Sequence, residues 1–270
     1  MNKKKLTLIE TFTLAFENHK KNNLKEAENL YKKVLEMNPN HFKSILYLGT
    51  LLGQTNKLDL AKPFLQKAIQ INPNDIKVHN NLGMVFQELG EHQAAINSFE
   101  KAISINPNYI QAYFNLGNIY RWENRIEEAI VSYANAIKQR KNYTNAYLAL
   151  SKIFAQKGMH NEAIGGYNRV LKMGMVSADI YFWISLSHIS INDIVNAMNY
   201  LETALKLEPE NIKCLNSLAH CNKMIGDRDN AIEIYKCSIQ IDPKQSESLH
   251  NLGNLYREGR EFDKAIKCYE

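Results

Sequence analysis

The sequence predicts an all-α fold built from tandem pairs of helices, and three observations carry that prediction. A 34-residue period runs through the chain: Pro39, Pro73 and Pro107 are 34 residues apart, Pro209 lies three periods beyond Pro107, and Pro243 one further. Alanine occupies the twentieth place of every repeat, at Ala27, Ala61, Ala95, Ala129, Ala163, Ala197, Ala231 and Ala265. Within each half of a repeat the apolar residues are spaced by three, four and seven, which is the helical period and not the strand period. Counting from Leu8 gives repeats at 8–41, 42–75, 76–109, 110–143, 144–177, 178–211, 212–245 and an incomplete 246–270. Residues 1–7 are a lead-in, and 8–270 is expected to form a single domain.

Each repeat reads as helix, turn, helix, turn. The first helix carries a large apolar residue at the seventh place (Leu48, Leu82, Leu116, Leu150, Ile184, Leu218, Leu252) and a small one at the eighth (Ala15, Gly49, Gly83, Gly117, Ser151, Ser185, Ala219, Gly253). Small residues at fixed phase let two helices approach closely, because interiors pack at crystal-like density. The turn follows at the fifteenth place, where Asn22, Asn56, Gly90, Asn124, Gly158, Asn192 and Gly226 enter the left-handed conformation at little cost. The second helix packs with its twentieth-place alanine and a large residue four places on (Tyr31, Leu65, Phe99, Tyr133, Tyr167, Leu201, Tyr235). Proline then ends it, lacking an N–H and restraining the residue before it. Asn40, Asn74, Asn108 and Asn142 are expected to cap the helix that follows.

The fifth and sixth repeats depart from the pattern. Ser151 and Ser185 replace the first-helix glycine, Lys141 and Met175 stand where proline is expected, and Gly165, Gly166 and Gly174 fall in or beside the second helix of the fifth repeat. Each interior glycine costs roughly 0.5–1 kcal/mol relative to alanine, so a soft joint is expected near 158–178.

Composition narrows the class. Apolar residues make up 45% and charged residues 23% of the chain, which excludes a disordered or collagenous polymer. The net charge of +5 is mildly basic and favours acidic partners without amounting to a nucleic-acid arm. All the cysteines fall late (Cys214, Cys221, Cys237, Cys268) with no C-x-x-C pair, as expected of a reduced, cytoplasmic setting. Lys3, Lys4 and Lys5 precede Leu6, Leu8 and Ile9, but Glu10 interrupts and no small-residue cleavage site follows, so no signal peptide is expected. No run approaches the roughly 18 apolar residues of a membrane helix, so no membrane insertion is expected.

On these residues the chain resembles the tetratricopeptide repeat (TPR) family. The segment 113–136, with Leu116, Gly117, Tyr120, Ala129, Tyr133 and Ala136, matches the family signature throughout, and the resemblance runs from Leu8 onward. It implies a right-handed α-solenoid whose first helices line a concave groove, with places two, five, six, nine and twelve looking inward. The second helix of the last repeat has no terminator and no covering helix after it. The chain is therefore expected to be the front of a longer polypeptide, and the uncovered helix would also offer a route to self-association.

No phosphate-binding loop, dinucleotide fingerprint, zinc-protease motif or nucleophile elbow appears, so neither a catalytic residue nor a cofactor is assigned. His220 and His250 with Cys214 and Cys221 lack the close ligand pair of a zinc site, and no metal is assigned. The inward places are more informative. They give Lys77, Asn80 and Asn81 in the third repeat, Phe114, Asn115, Asn118 and Arg121 in the fourth, and Lys152 in the fifth. The seventh adds Asn216 and His220, and the eighth Asn251, Asn254 and Arg257. An amide offers both a donor and an acceptor to the main chain of an extended peptide whatever its sequence. Lys43, Lys77, Arg121, Lys152, Lys213, Lys223 and Arg257 outnumber Asp179 and Glu247 on this face, so the ligand is expected to be acidic. Phe12, Phe16, Phe114 and Phe182 would add apolar contacts.

The resemblance separates the alternatives. The family's carboxylate clamp for chaperone tails needs Lys, Asn and Arg at set places in three consecutive repeats, and no three supply them. The groove asparagines are partly similar to the ladder in the repeat domain of O-linked N-acetylglucosamine transferases, with Tyr47, Ala149, Trp183 and Ser217 interrupting it. The expected function is a non-enzymatic scaffold holding an extended acidic protein segment. The alternative is the substrate-recruiting front of a larger enzyme, such as a glycosyltransferase or sulfotransferase. RNA binding is disfavoured by the few aromatic–basic pairs.

Overall fold

The computed structural model describes residues 6–270, so Lys3, Lys4 and Lys5 lie outside the described residues. Those residues form sixteen α-helices and no strand. In chain order they are α1 (Leu8–Lys20), α2 (Leu24–Met37), α3 (Phe42–Gln54), α4 (Leu58–Ile71), α5 (Ile76–Glu88), α6 (His92–Ile105), α7 (Ile110–Trp122) and α8 (Ile126–Gln139). There follow α9 (Thr144–Gln156), α10 (His160–Lys172), α11 (Ala178–Ser190), α12 (Ile194–Leu207), α13 (Ile212–Met224), α14 (Arg228–Ile241), α15 (Ser246–Glu258) and α16 (Phe262–Tyr269). Every odd-numbered helix begins on the first residue of a counted repeat. The fold is thus the all-α, tandem helix-pair class that the period predicts.

The helices group into two compact bodies, α1–α8 and α9–α16, each holding four repeats. Within each body a helix pair packs on itself and on the first helix of the next pair, and first helices also touch one another, as α3 does α5 and α5 does α7. The twentieth-place alanines are sealed in these contacts: Ala27 through Ala231 are 0% exposed and Ala265 is 3% exposed.

The eighth-place glycines are required by contact. A Cβ on Gly83 would stand 2.6 Å from the Phe99 ring, and one on Gly117 would stand 2.7 Å from the Tyr133 ring. The fifth repeat reverses the arrangement. Ser151 occupies the first helix there, and it is Gly166 on α10 that makes room, since a Cβ on Gly166 would collide with the Ser151 hydroxyl. Helix α10 runs unbroken through Gly165 and Gly166, and the division between bodies falls earlier, after Lys141.

The turns follow the expected chemistry. Asn22, Asn56, Asn124 and Asn192 hold φ of 58–62°, and Gly90, Gly158 and Gly226 hold 75–85°. The eighth repeat places Arg260 there at φ 62°. A left-handed ordinary residue costs roughly 1–2 kcal/mol, so Arg260→Gly is expected to stabilise the C-terminal body by about 1 kcal/mol in urea unfolding.

One local expectation is corrected. The caps of α3, α5, α7 and α9 are His41, Asp75, Tyr109 and Tyr143, one residue after the asparagines named from the sequence. The asparagines before Pro39 and Pro107 bond within the turn: Asn38 and Asn106 accept from the N–H of Asn40 and Asn108 at 3.0 and 2.9 Å, closing the turn around the proline. In addition, helix α4 continues through Pro63.

Candidate functional site

The N-terminal body carries a continuous line of side-chain bonds across three first helices. Asn81 on α5 donates to the Thr50 hydroxyl on α3 at 2.8 Å, and Asn115 on α7 donates to the Asn80 carbonyl oxygen at 3.1 Å. Asn80 donates in turn to Asn81 Oδ1 at 3.4 Å, which joins the two links. Asn80 is 4% exposed, so it braces its neighbours and is not placed to touch a ligand, a correction to its assignment as a contact. Asn81 and Asn115 stay half-buried, each with amide capacity left over.

Asn118 is set by a residue that the groove pattern did not single out. The Tyr133 hydroxyl donates to Asn118 Oδ1 at 2.7 Å, leaving the amide Nδ2 for a ligand. Burial pushes the Tyr133 phenol up to about 12, with Arg121 opposing, so it remains a donor at neutral pH. Tyr269 does the same for Asn254 at 2.9 Å. The signal was present in the sequence: repeats with tyrosine at place twenty-four and asparagine at place nine are the fourth and eighth, whereas the third pairs Phe99 with Met84. Phe114 is half-buried with its ring 5.6 Å from that of Tyr133.

In the C-terminal body, Asn216 is likewise a brace, and its assignment as a groove contact is corrected. It is 4% exposed and accepts from the Ser248 hydroxyl at 2.7 Å, which bonds Ser238 at 2.8 Å. Its Nδ2 is buried without a protein partner. Asn251 is half-buried and meets the Tyr235 hydroxyl. His220 and His250 are exposed, whereas Cys214 and Cys221 are fully buried, their thiols pushed up to about 11 by burial. Among the described residues no group of three or more His, Cys, Asp or Glu converges as a metal site would require.

The charges sort by body. Lys43, Lys77 and Arg121 are exposed and form no ion pair among the described residues of the N-terminal body. In the C-terminal body Lys223 is taken by Glu258 at 2.7 Å, and the Lys152 ammonium sits 3.8 Å above the Trp183 ring. Lys213 and Arg257 there are exposed and form no ion pair among the described residues, and the acidic Asp179 and Glu247 stand exposed at inner places of the same body. The inner places of the first four repeats therefore carry cations alone, whereas those of the last four carry both signs.

A cavity of about 380 Å³ opens in the same body between α3 and α5. Thr50, Gly53, Leu65, Met84, Val85 and Glu88 are among the residues that line it. The sequence held no positive signal for it, because the cavity exists where Gly53 has no side chain. No helix is long and apolar enough to cross a membrane among the described residues.

Family models described as tetratricopeptide repeat match residues 19–83, 76–109, 98–130, 178–211, 212–245 and 248–270, and one described as TPR repeat matches 117–158. No curated protein matches the sequence. Among solved structures, the C-terminal part of a TPR repeat-containing protein from Cytophaga hutchinsonii is similar at TM-score 0.73 and 17% identity, over 83% of this chain and 92% of that one. MamA is similar at TM-score 0.54 and 26% identity, over 59% and 94%. YrrB, described as a TPR protein with an unusual peptide-binding site, is similar at TM-score 0.55 and 22% identity, over 64% and 89%.

Proposed function

The chain belongs to the tetratricopeptide repeat family, and on that footing we propose that it is a non-catalytic interaction module whose N-terminal repeats hold an extended, acidic segment of another protein. The observation that carries this reading is the row of half-buried amides Asn81, Asn115 and Asn118 on adjacent first helices, flanked by Lys43, Lys77 and Arg121, which form no ion pair among the described residues. Fixed amides meet the main chain of an extended ligand without regard to its sequence. Each bond nets only about 0.5–1.5 kcal/mol, so a row is needed where one would not suffice. The cations add attraction and steering for carboxylates. Family membership and the shared TPR fold support an interaction role. Asn254 and Arg257 repeat the fourth repeat's pattern in the C-terminal body.

Arg121 is the position to test. Asn118→Ala would leave the largely buried Tyr133 hydroxyl without its acceptor, which mixes stability with binding, whereas the Arg121 side chain is exposed and forms no hydrogen bond or ion pair among the described residues. With a fluorescein-labelled 12-residue Glu/Gly/Ser peptide as probe, Arg121→Glu is expected to weaken binding several-fold in 50 mM salt. The melting temperature should not change, and the difference should shrink in 0.5 M salt as charges are screened. Equal binding by the variant and the wild type at low salt would overturn the acidic-ligand reading.

A further inference from the structure

The cavity between α3 and α5 sits within the line of amides, with Thr50 and Asn81 in its wall. At about 380 Å³ it falls near the small end of the roughly 300–1,000 Å³ typical of ligand pockets, too small for a folded partner. Its floor is apolar, from Leu65 and Val85, and Met84 stands at the edge with 48% of its surface exposed. The Thr50 hydroxyl in the wall is already engaged by the Asn81 amide at 2.8 Å. Gly53 creates the space: a Cβ there would meet only Val85, at 3.3 Å, while most other repeats carry His19, Gln87, Arg121, Ile189, Lys223 or Arg257 at that place. One charge stands on the lining, Glu88, with no ion pair among the described residues.

We propose that this cavity receives one large apolar side chain (leucine, methionine or phenylalanine) of the bound segment, and that an acidic residue of the same segment about four positions away meets Arg121. The proposal rests on the groove reading above and adds to it a specificity pocket and a register. Charge complementarity fixes the register. Glu88 repels a carboxylate from the pocket, and Arg121 on α7, exposed and without an ion pair among the described residues, holds the same place of its helix as Gly53 does of α3. Packed helices lie about 8–10 Å apart, so the step from the gap between α3 and α5 to α7 is about 12–15 Å. An extended chain advances about 3.3 Å per residue, which makes that step about four residues.

The test uses the full chain labelled with ¹³C at the methionine methyls, with the Met84 signal assigned by Met84→Leu. The probes are nine-residue Ser/Gly peptides carrying one leucine and one aspartate one to six positions apart, in either order. The Met84 methyl is expected to shift on titration, with the tightest binding at a separation of about four and a loss of tenfold or more when leucine becomes aspartate. Gly53→Leu, which fills the cavity, is expected to abolish the preference for leucine and leave the weaker, Arg121-dependent response to aspartate. Met84→Asp, at an exposed position, gives the same readout should Gly53→Leu not fold. If the folded cavity variant keeps the leucine preference while Arg121→Glu abolishes binding, the pocket proposal is wrong and the groove reading stands. If no peptide shifts Met84 or responds to Arg121→Glu, both fall.

Discussion

Pro63→Ala is expected to raise the stability of the N-terminal body by about 2 kcal/mol, read as an increase in the urea midpoint followed by helical circular dichroism. Pro63 lies inside α4, past its first turn, where an ordinary residue would donate its N–H to the Asp59 carbonyl. Proline lacks that donor and its ring crowds the same carbonyl, which in a helix interior costs about 3 kcal/mol. Against this, proline narrows the unfolded ensemble, an advantage of about 0.4–1 kcal/mol that alanine gives up. The side chain is exposed, so no packing is lost. An unchanged or lower midpoint would mean that the helix has absorbed the proline by local bending.

The second expected result is a change of sign between two identical substitutions. Gly117→Ala should destabilise the N-terminal body by about 1–2 kcal/mol, because the new methyl overlaps the Tyr133 ring and overpacking typically costs about 1–3 kcal/mol. Tyr133 is 0% exposed and its hydroxyl holds Asn118, so the displaced ring would also release that amide. Gly165→Ala should instead stabilise the C-terminal body by about 0.5–1 kcal/mol, since glycine is a poor helix former. Nothing lies within 4 Å of a Cβ at Gly165. Thermal and urea unfolding of both variants decide the matter, and two shifts of the same sign would refute the contact-based account of the glycines.

Those glycines show where sequence reading succeeds and where it stops. A one-dimensional period told that something small must stand at Gly83, Gly117 and Gly253, because an array of identical helix pairs forces the same close approach in every copy. It could not tell that the fifth repeat moves the small residue from Ser151 to Gly166, since either side of the contact satisfies the same geometry. The N-caps show the same limit: the polar residues around each proline were legible, but which of Asn38 and Asn40 accepts a bond depends on backbone angles that composition does not set.

Helix pairs, their starts and their left-handed turns were legible along the chain, because these follow from backbone sterics and from apolar spacing inside one repeat. Which asparagines are free to act was settled by packing between repeats. Asn80 meets Asn115 and Asn216 meets Ser248 across 35 and 32 residues, and those bonds turn two assigned contacts into braces. Likewise the cavity beside Gly53 arises from what two neighbouring helices leave unfilled. A hydrogen bond or a void between repeats depends on side-chain directions in two copies at once, and a pattern read along one copy does not contain them.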